Sequence, residues 1–268
     1  MKISLVGGDA RFLYTEGALL RAGHTVFRMA NGGRPLDEAA LSESDAVVFP
    51  LPVSRDGVHL YAKEAPSVLS LSCIFPYIRA SARLLVGRAD GALLPYLTGR
   101  PFFEYGSDPS FLLCNSALSA RGALSLLRER NGGELPKGEY ALVGNGHLAA
   151  ALGEALSQNG VRFTAYARQP RGLIGGVYPL PLSSLSEGLA ACSVLINTVP
   201  APLFNEKILS CAKKGLCLLE LACTKGVVDE AACARFGIDL LPAPALPLRY
   251  AKEEAGAAVA AAVLLALL

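Results

Sequence analysis

Histidine is scarce in this 268-residue chain: His24, His59 and His147 are the only three. No His/Asp or Ser/His pairing falls at a spacing that nucleophilic catalysis would use, and no G-x-S-x-G elbow is present. The sequence therefore names no general base. Cysteines 73, 114, 192, 211, 217, 223 and 233 are odd in number and form no C-x-x-C pair. That spacing excludes a zinc knuckle and a disulfide framework, so no metal is expected and the thiols read as buried and reduced. Charge is also low, at 18% of residues with a net of +2, and no basic run is interleaved with aromatics. Nucleic acid and acidic membrane surfaces are excluded as partners on that account. No leader is expected ahead of the first apolar segment, and the apolar run 257–268 is too short to span a bilayer. A soluble, cytoplasmic protein is expected.

What the chain has is core and glycine. A hydrophobic content of 52% excludes disorder, and the length suits one long domain or two of ordinary size. The segment from Tyr140 to Ala149 runs from a short apolar strand through Gly144-Asn145-Gly146 into a helix that starts at His147-Leu148. This is the opening of a Rossmann βαβ unit. Gly144 permits the tight turn, Gly146 lets the backbone approach a pyrophosphate, and Ala149 gives close helix–strand packing. The next strand, 161–168, ends on Arg168 with Arg171 close behind, where NAD enzymes place an acidic residue for the ribose 2′-hydroxyl. A guanidinium is matched to a 2′-phosphate, so the expected cofactor is NADP. Read blandly, Arg168 is a solvated loop arginine.

Residues 2–8 echo residues 140–146, each an apolar strand running into glycine and then a helix. Two such starts predict an α/β protein with two Rossmann-like parallel-sheet domains joined by a long helix. Strands are expected at 25–29, 46–49, 68–71 and 101–104 in the first half, with a helix over 12–22. A connecting helix over 116–130 ends at Asn131-Gly132-Gly133. Further strands are expected at 194–197, 216–221 and 238–241. The predicted domains are residues 1–115 for substrate and 116–251 for NADP, with a final helix over 252–268 free to pack back on the first.

Candidate site residues fall at strand ends. Asp9 and Arg11 follow Gly7-Gly8 at the carboxyl end of the first strand, where open α/β sheets bind ligands. On spacing alone, a capping Asp9 and a solvated Arg11 read equally well. Asn197-Thr198-Val199-Pro200 closes an apolar strand, and Pro200 halts its ladder, leaving Asn197 and Thr198 exposed to contact ribose or nicotinamide. Asn115-Ser116 lies just ahead of the connecting helix, placed either to cap it or to meet a ligand.

Together these stretches resemble the A subunits of dipicolinate synthase. The matches are Val6-Gly7-Gly8-Asp9-Ala10-Arg11, Asn115-Ser116 with Ser119 and Gly122, and the glycine loop with Ala167-Arg168 and Ile196-Asn197-Thr198-Val199-Pro200. Leu221-Ala222, Ala243-Pro244-Ala245-Leu246-Pro247 and Arg249-Tyr250-Ala251 complete them in family order. The resemblance implies NADP-dependent oxidation of a dihydrodipicolinate-type ring to pyridine-2,6-dicarboxylate in sporulation. It also implies a partner, the flavoprotein-like B subunit, and a homo-oligomer is expected. Asp9, Arg11, Asn115, Ser116 and Arg249 are the polar groups expected around the dicarboxylate; Gly144, Asn145, Gly146, His147, Leu148, Arg168, Asn197, Thr198, Val199 and Pro200 are those expected around NADP. The chain departs from the family pattern at Arg121, where Glu is expected, and at Ala245 and Leu248, where Gly is usual. Those departures keep two other readings in play: a non-catalytic NADP-binding sensor or scaffold, and a related two-domain dehydrogenase for another small carboxylate.

Overall fold

Short apolar runs that end in glycine become parallel strands, and the longer amphipathic stretches between them become helices. The computed structural model describes residues 1–268 apart from Asp90, Ala92 and Cys223. The chain divides into two units, Met1–Asn115 with Ala251–Leu268, and Ser116–Tyr250.

Unit 1 alternates β1 (Lys2–Val6), α1 (Arg11–Arg21), β2 (Thr25–Met29), α2 (Glu38–Ser42), β3 (Ala46–Val48), α3 (Leu71–Ile74), β4 (Arg83–Val86), α4 (Leu94–Leu97) and β5 (Phe102–Glu104). Its five parallel strands run in the order β2-β1-β3-β4-β5, so the chain reverses direction across the sheet between β1 and β3. Side chains alternate between two apolar layers, as the pleat requires: Ile3 and Leu5 enter one core and Val6 the other. The only buried polar side chain on β1, Ser4, is satisfied by Ser44 at 2.7 Å.

The helix α5 (Pro109–Arg130) starts in unit 1 and ends in unit 2. By length and composition it is apolar enough to cross a membrane. Its apolar residues are instead spent in the two cores, Phe111 in one and Ala120, Ala123, Leu124 and Leu127 in the other. Unit 2 continues with β6 (Glu139–Val143), α6 (His147–Gln158), β7 (Phe163–Ala167), β8 (Leu180–Pro181), α7 (Leu185–Leu189), β9 (Cys192–Asn197), α8 (Glu206–Leu209), β10 (Cys217–Glu220), α9 (Glu230–Phe236), β11 (Asp239–Pro242) and α10 (Leu246–Tyr250). Its six parallel strands run β11-β10-β9-β6-β7-β8, the doubly wound dinucleotide-binding order, reversing between β6 and β9. The last helix, α11 (Lys252–Leu267), lies on α1 in unit 1, where Thr15 Oγ1 donates to the Gly256 carbonyl at 2.9 Å. A Cβ on Gly256 would stand 2.5 Å from the Arg11 carbonyl oxygen, so glycine sets how closely the two helices approach.

Three expectations need correction. Residues 68–71 form no strand: Val68 is exposed, and Ser70 caps α3 by accepting from the Ser72 amide. The connecting helix starts at Pro109 rather than 116, because Asp108 accepts from the Phe111 amide and Pro109 suits a first helical turn. Asn115 and Ser116 therefore sit inside α5 and cap nothing. The cysteines are not uniformly buried: Cys73, Cys114 and Cys211 are exposed, and Cys223 lies outside the described residues. Cys192 and Cys233 are buried and Cys217 is half-buried against the core, and burial pushes each thiol up to about 11, as expected for inert thiols.

Candidate functional site

In unit 2 the carboxyl end of β6 turns at Gly144, whose φ of 132° is open to glycine and strained for other residues. A Cβ there would stand 2.0 Å from Thr198 Oγ1, which donates to the Val143 carbonyl at 2.8 Å. Gly144 is thus fixed both by its backbone and by the β9 tip pressed against it. Gly146 faces open space, with nothing within 4 Å of a Cβ position. It is the N-cap of α6, and no side chain caps that helix. The first-turn N–H groups are left as a positive, hydrogen-bonding end above an open glycine, which is the geometry an anion needs.

Beside this loop lies a pocket of about 510 Å³ lined by Gly144, Asn145, Arg168, Gln169, Arg171 and Pro200, among others. Asn145 ties its floor together, its Nδ2 donating to the Arg171 carbonyl at 3.1 Å. Arg171 Nη2 donates to Gln169 Oε1 at 3.0 Å. Arg168 is exposed at the tip of β7, and no ion pair occupies it among the described residues. No carboxylate lines the pocket. Gln169 was not foreseeable from the sequence, since a loop glutamine carries no signal that could have found it.

Among the expected cofactor residues, Gly144, Asn145, Arg168, Val199 and Pro200 line this pocket together. His147 is exposed on the first turn of α6, and Leu148 is half-buried against the core. Asn197 is not exposed at the strand tip; it is fully buried. Its Nδ2 donates to Glu220 Oε2 at 2.6 Å and to the Val199 carbonyl at 3.1 Å, and its Oδ1 accepts from the Val199 amide. Glu220 in turn accepts from the Ala222 amide at 2.6 Å. The Asn197 amide is spent on the protein itself, bending the β9 tip so that Val199 and Pro200 form the pocket wall.

In unit 1 the carboxyl end of β1 holds Asp9 and Arg11 as a closed pair. Arg11 Nε and Nη2 each donate to the Asp9 carboxylate at 2.8 Å, and Nη2 also reaches the Leu51 carbonyl at 3.2 Å. Burial pushes the Asp9 carboxyl up, but the hydrogen bond and charge of Arg11 outweigh it, so Asp9 lies below the usual carboxylate range. Asn31 holds the turn by donating to the Gly7 and Asp9 carbonyls. Of the other expected substrate contacts, Asn115 is half-buried and Ser116 buried within α5. Arg249 is exposed, pairs with Glu129 at 2.6 Å and lies over the Tyr250 ring.

No family model matches the sequence. The chain is 27% identical over 273 residues to the A subunit of dipicolinate synthase of Bacillus subtilis (strain 168), covering 96% of this chain and 92% of that protein. Its fold matches the crystal structure of the A subunit of dipicolinate synthase from Bacillus halodurans with a TM-score of 0.85 at 20% identity, covering 99% of this chain and 96% of that one. A more distant likeness is the NAD-complexed form of a D-isomer specific 2-hydroxyacid dehydrogenase from Lactobacillus delbrueckii ssp. bulgaricus. There the TM-score is 0.61 at 12% identity, over 100% of this chain and 97% of that one. In sequence and in fold, over nearly its whole length, this chain is similar to the A subunits of dipicolinate synthase.

Proposed function

We propose that the protein is an NADP-dependent oxidoreductase that converts a dihydrodipicolinate-type ring to pyridine-2,6-dicarboxylate, in the role of the A subunit of a sporulation enzyme. One observation carries the cofactor assignment. The pocket beside the glycine loop meets the tip of β7 at Arg168, Gln169 and Arg171, with no carboxylate to receive a ribose 2′-hydroxyl. The pocket fits a dinucleotide: an uncapped helix start for the pyrophosphate, an open Gly146, and cationic side chains at the 2′ position. Gly144, Gly146 and the first turn of α6 hold the phosphates, Arg168 and Arg171 hold the 2′-phosphate, and Val199 and Pro200 wall the pocket. Bound there, a nicotinamide cofactor supplies a hydride acceptor. The substrate assignment rests on the likeness to dipicolinate synthase A subunits along the whole chain.

Loss of a hydride and a proton from a dihydropyridine yields an aromatic ring, so the thermodynamic drive lies in the substrate. What the chain must contribute is orientation and retention of two carboxylates. We assign it a homo-oligomeric state and, for partner, a flavoprotein-like B subunit. The test is a fluorescence titration with NADPH and NADH, followed by absorbance in the dipicolinate band with NADP and a dihydrodipicolinate source, with and without the B subunit. NADPH preference with dipicolinate formation is the expected result. NADPH binding without turnover in either condition would replace this reading by that of a cofactor sensor, and equal affinity for NADH would remove the Arg168 argument.

A further inference from the structure

With Arg11 closed on Asp9, the free positive charge at the carboxyl edge of the unit 1 sheet lies elsewhere. The segment from Ser54 to Lys63 folds over the end of β1, beside the point where the strand order reverses. Its backbone is fastened there: the Gly8 amide donates to the Tyr61 carbonyl at 2.7 Å and the Lys63 amide to the Gly8 carbonyl at 2.9 Å. A Cβ on Gly7 would stand 2.7 Å from the Leu60 side chain, so this glycine is what lets the segment close on the strand. Asp56 organises the loop, accepting from the amides of Val58 and His59 and meeting His59 Nδ1 at 2.7 Å. Those amide and imidazole hydrogen bonds hold its carboxyl well below the usual range. With Nδ1 engaged, the second ring nitrogen of His59 is the one left to a ligand. Arg55 lies over the Tyr61 ring at 4.6 Å, and neither Arg55 nor Lys63 has a carboxylate partner among the described ion pairs. These residues line a cavity of about 240 Å³. That is smaller than the clefts of about 300–1,000 Å³ that take drug-sized ligands, and it suits one small ring.

We propose that this cavity is the anchoring site for a small planar dicarboxylate of the pyridine-2,6-dicarboxylate class, with Arg55 and Lys63 holding carboxylates and His59, oriented by Asp56, donating or accepting at its free nitrogen. The site deepens the function proposed above and rests on it for the ligand class. Its placement agrees with the rule that open α/β sheets bind ligands where the strand order reverses. Asp56 is committed to His59, and Asp9, whose charge Lys63 also feels, is already paired with Arg11, so Arg55 and Lys63 leave net positive charge for an entering dianion.

Calorimetric titration of the full-length protein with dipicolinate, glutarate and inorganic phosphate tests it, with NADPH titrated in parallel as a check on unit 2. Arg55→Ala and Lys63→Ala should each weaken dipicolinate binding about tenfold and leave NADPH affinity unchanged, as expected for loss of one charge-assisted hydrogen bond. The His59 ring resonances, identified by His59→Gln among only three histidines, should shift on dipicolinate addition. Undiminished dipicolinate binding in the double variant would overturn the site and leave the proposed function standing. Phosphate competing as well as dipicolinate would overturn the ligand class. If the wild type bound NADPH but neither dicarboxylate, the site and the proposed substrate would fall together.

Discussion

Arg168 is one side chain at a strand tip, and the cofactor assignment turns on it. Arg168→Ala should weaken NADPH about ten- to a hundredfold and leave NADH nearly unchanged, because only the 2′-phosphate loses a charge-assisted partner. Parallel fluorescence titrations would show it, and equal losses for both cofactors would assign Arg168 to the shared pyrophosphate instead. A second prediction concerns Asp9. Its carboxyl is lowered in the folded protein, so the unfolded chain binds that proton more readily. The pair's contribution is present above the ordinary carboxylate range near pH ~4 and is lost as pH falls through the lower folded value. Asp9→Asn should flatten the acid side of a stability–pH profile and cost about 3 kcal/mol near neutrality, since Arg11 is then left buried without its charge partner. A third is Ala245, which sits at φ 53° just before α10. Left-handed backbone disfavours a Cβ, so Ala245→Gly should raise stability by about 1 kcal/mol or less in urea denaturation. At this scale the sequence showed residue types but not their partners. Arg11 looked available until its distance to Asp9 was known, and Asn197 looked exposed until Glu220, 23 positions away, was seen to hold it.

Elements were more legible than residues, for a physical reason. The strands β1, β6, β7 and β9 are apolar runs that end at glycine, asparagine or arginine, and nothing non-local is needed to read them. The stretch 68–71 misled because Val-Leu-Ser-Leu has strand-like apolar content, whereas Ser70 as a cap turns it into a helix start. The strand β4 is not among the expected strands although Arg83–Val86 is three-quarters apolar and closes at Gly87; it lies between β3 and β5, and its three apolar residues are buried. The start of α5 was written in Asp108-Pro109, a cap followed by a proline suited to the first turn. The sequence leaves α11 free to pack back on unit 1, but its seat on α1 is not readable there, because past its charged first turn α11 is apolar all round and offers no single face to predict from. Gly256→Val tests it: the added atoms meet the Arg11 carbonyl and the Tyr14 side chain within 2.6 Å. The expected cost is about 1–3 kcal/mol, read as a lower urea midpoint with unchanged NADPH affinity.

For the whole molecule, the chain passes between its units twice, after Asn115 and after Tyr250. Unit 2 is continuous in sequence, whereas unit 1 is assembled from both ends of the chain. Val259 and Val263 of α11 complete the same core as Ile3 and Leu5 of β1. Residues 1–115 thus leave the ribosome first yet remain without one wall of their core until the whole of unit 2 has been synthesised. Unit 2 has all of its residues before α11 is made, whereas unit 1 keeps apolar surface uncovered until α11 arrives. A released chain that ends before residue 251 should keep all of unit 2 but leave the core of unit 1 open, a state that calls for a chaperone.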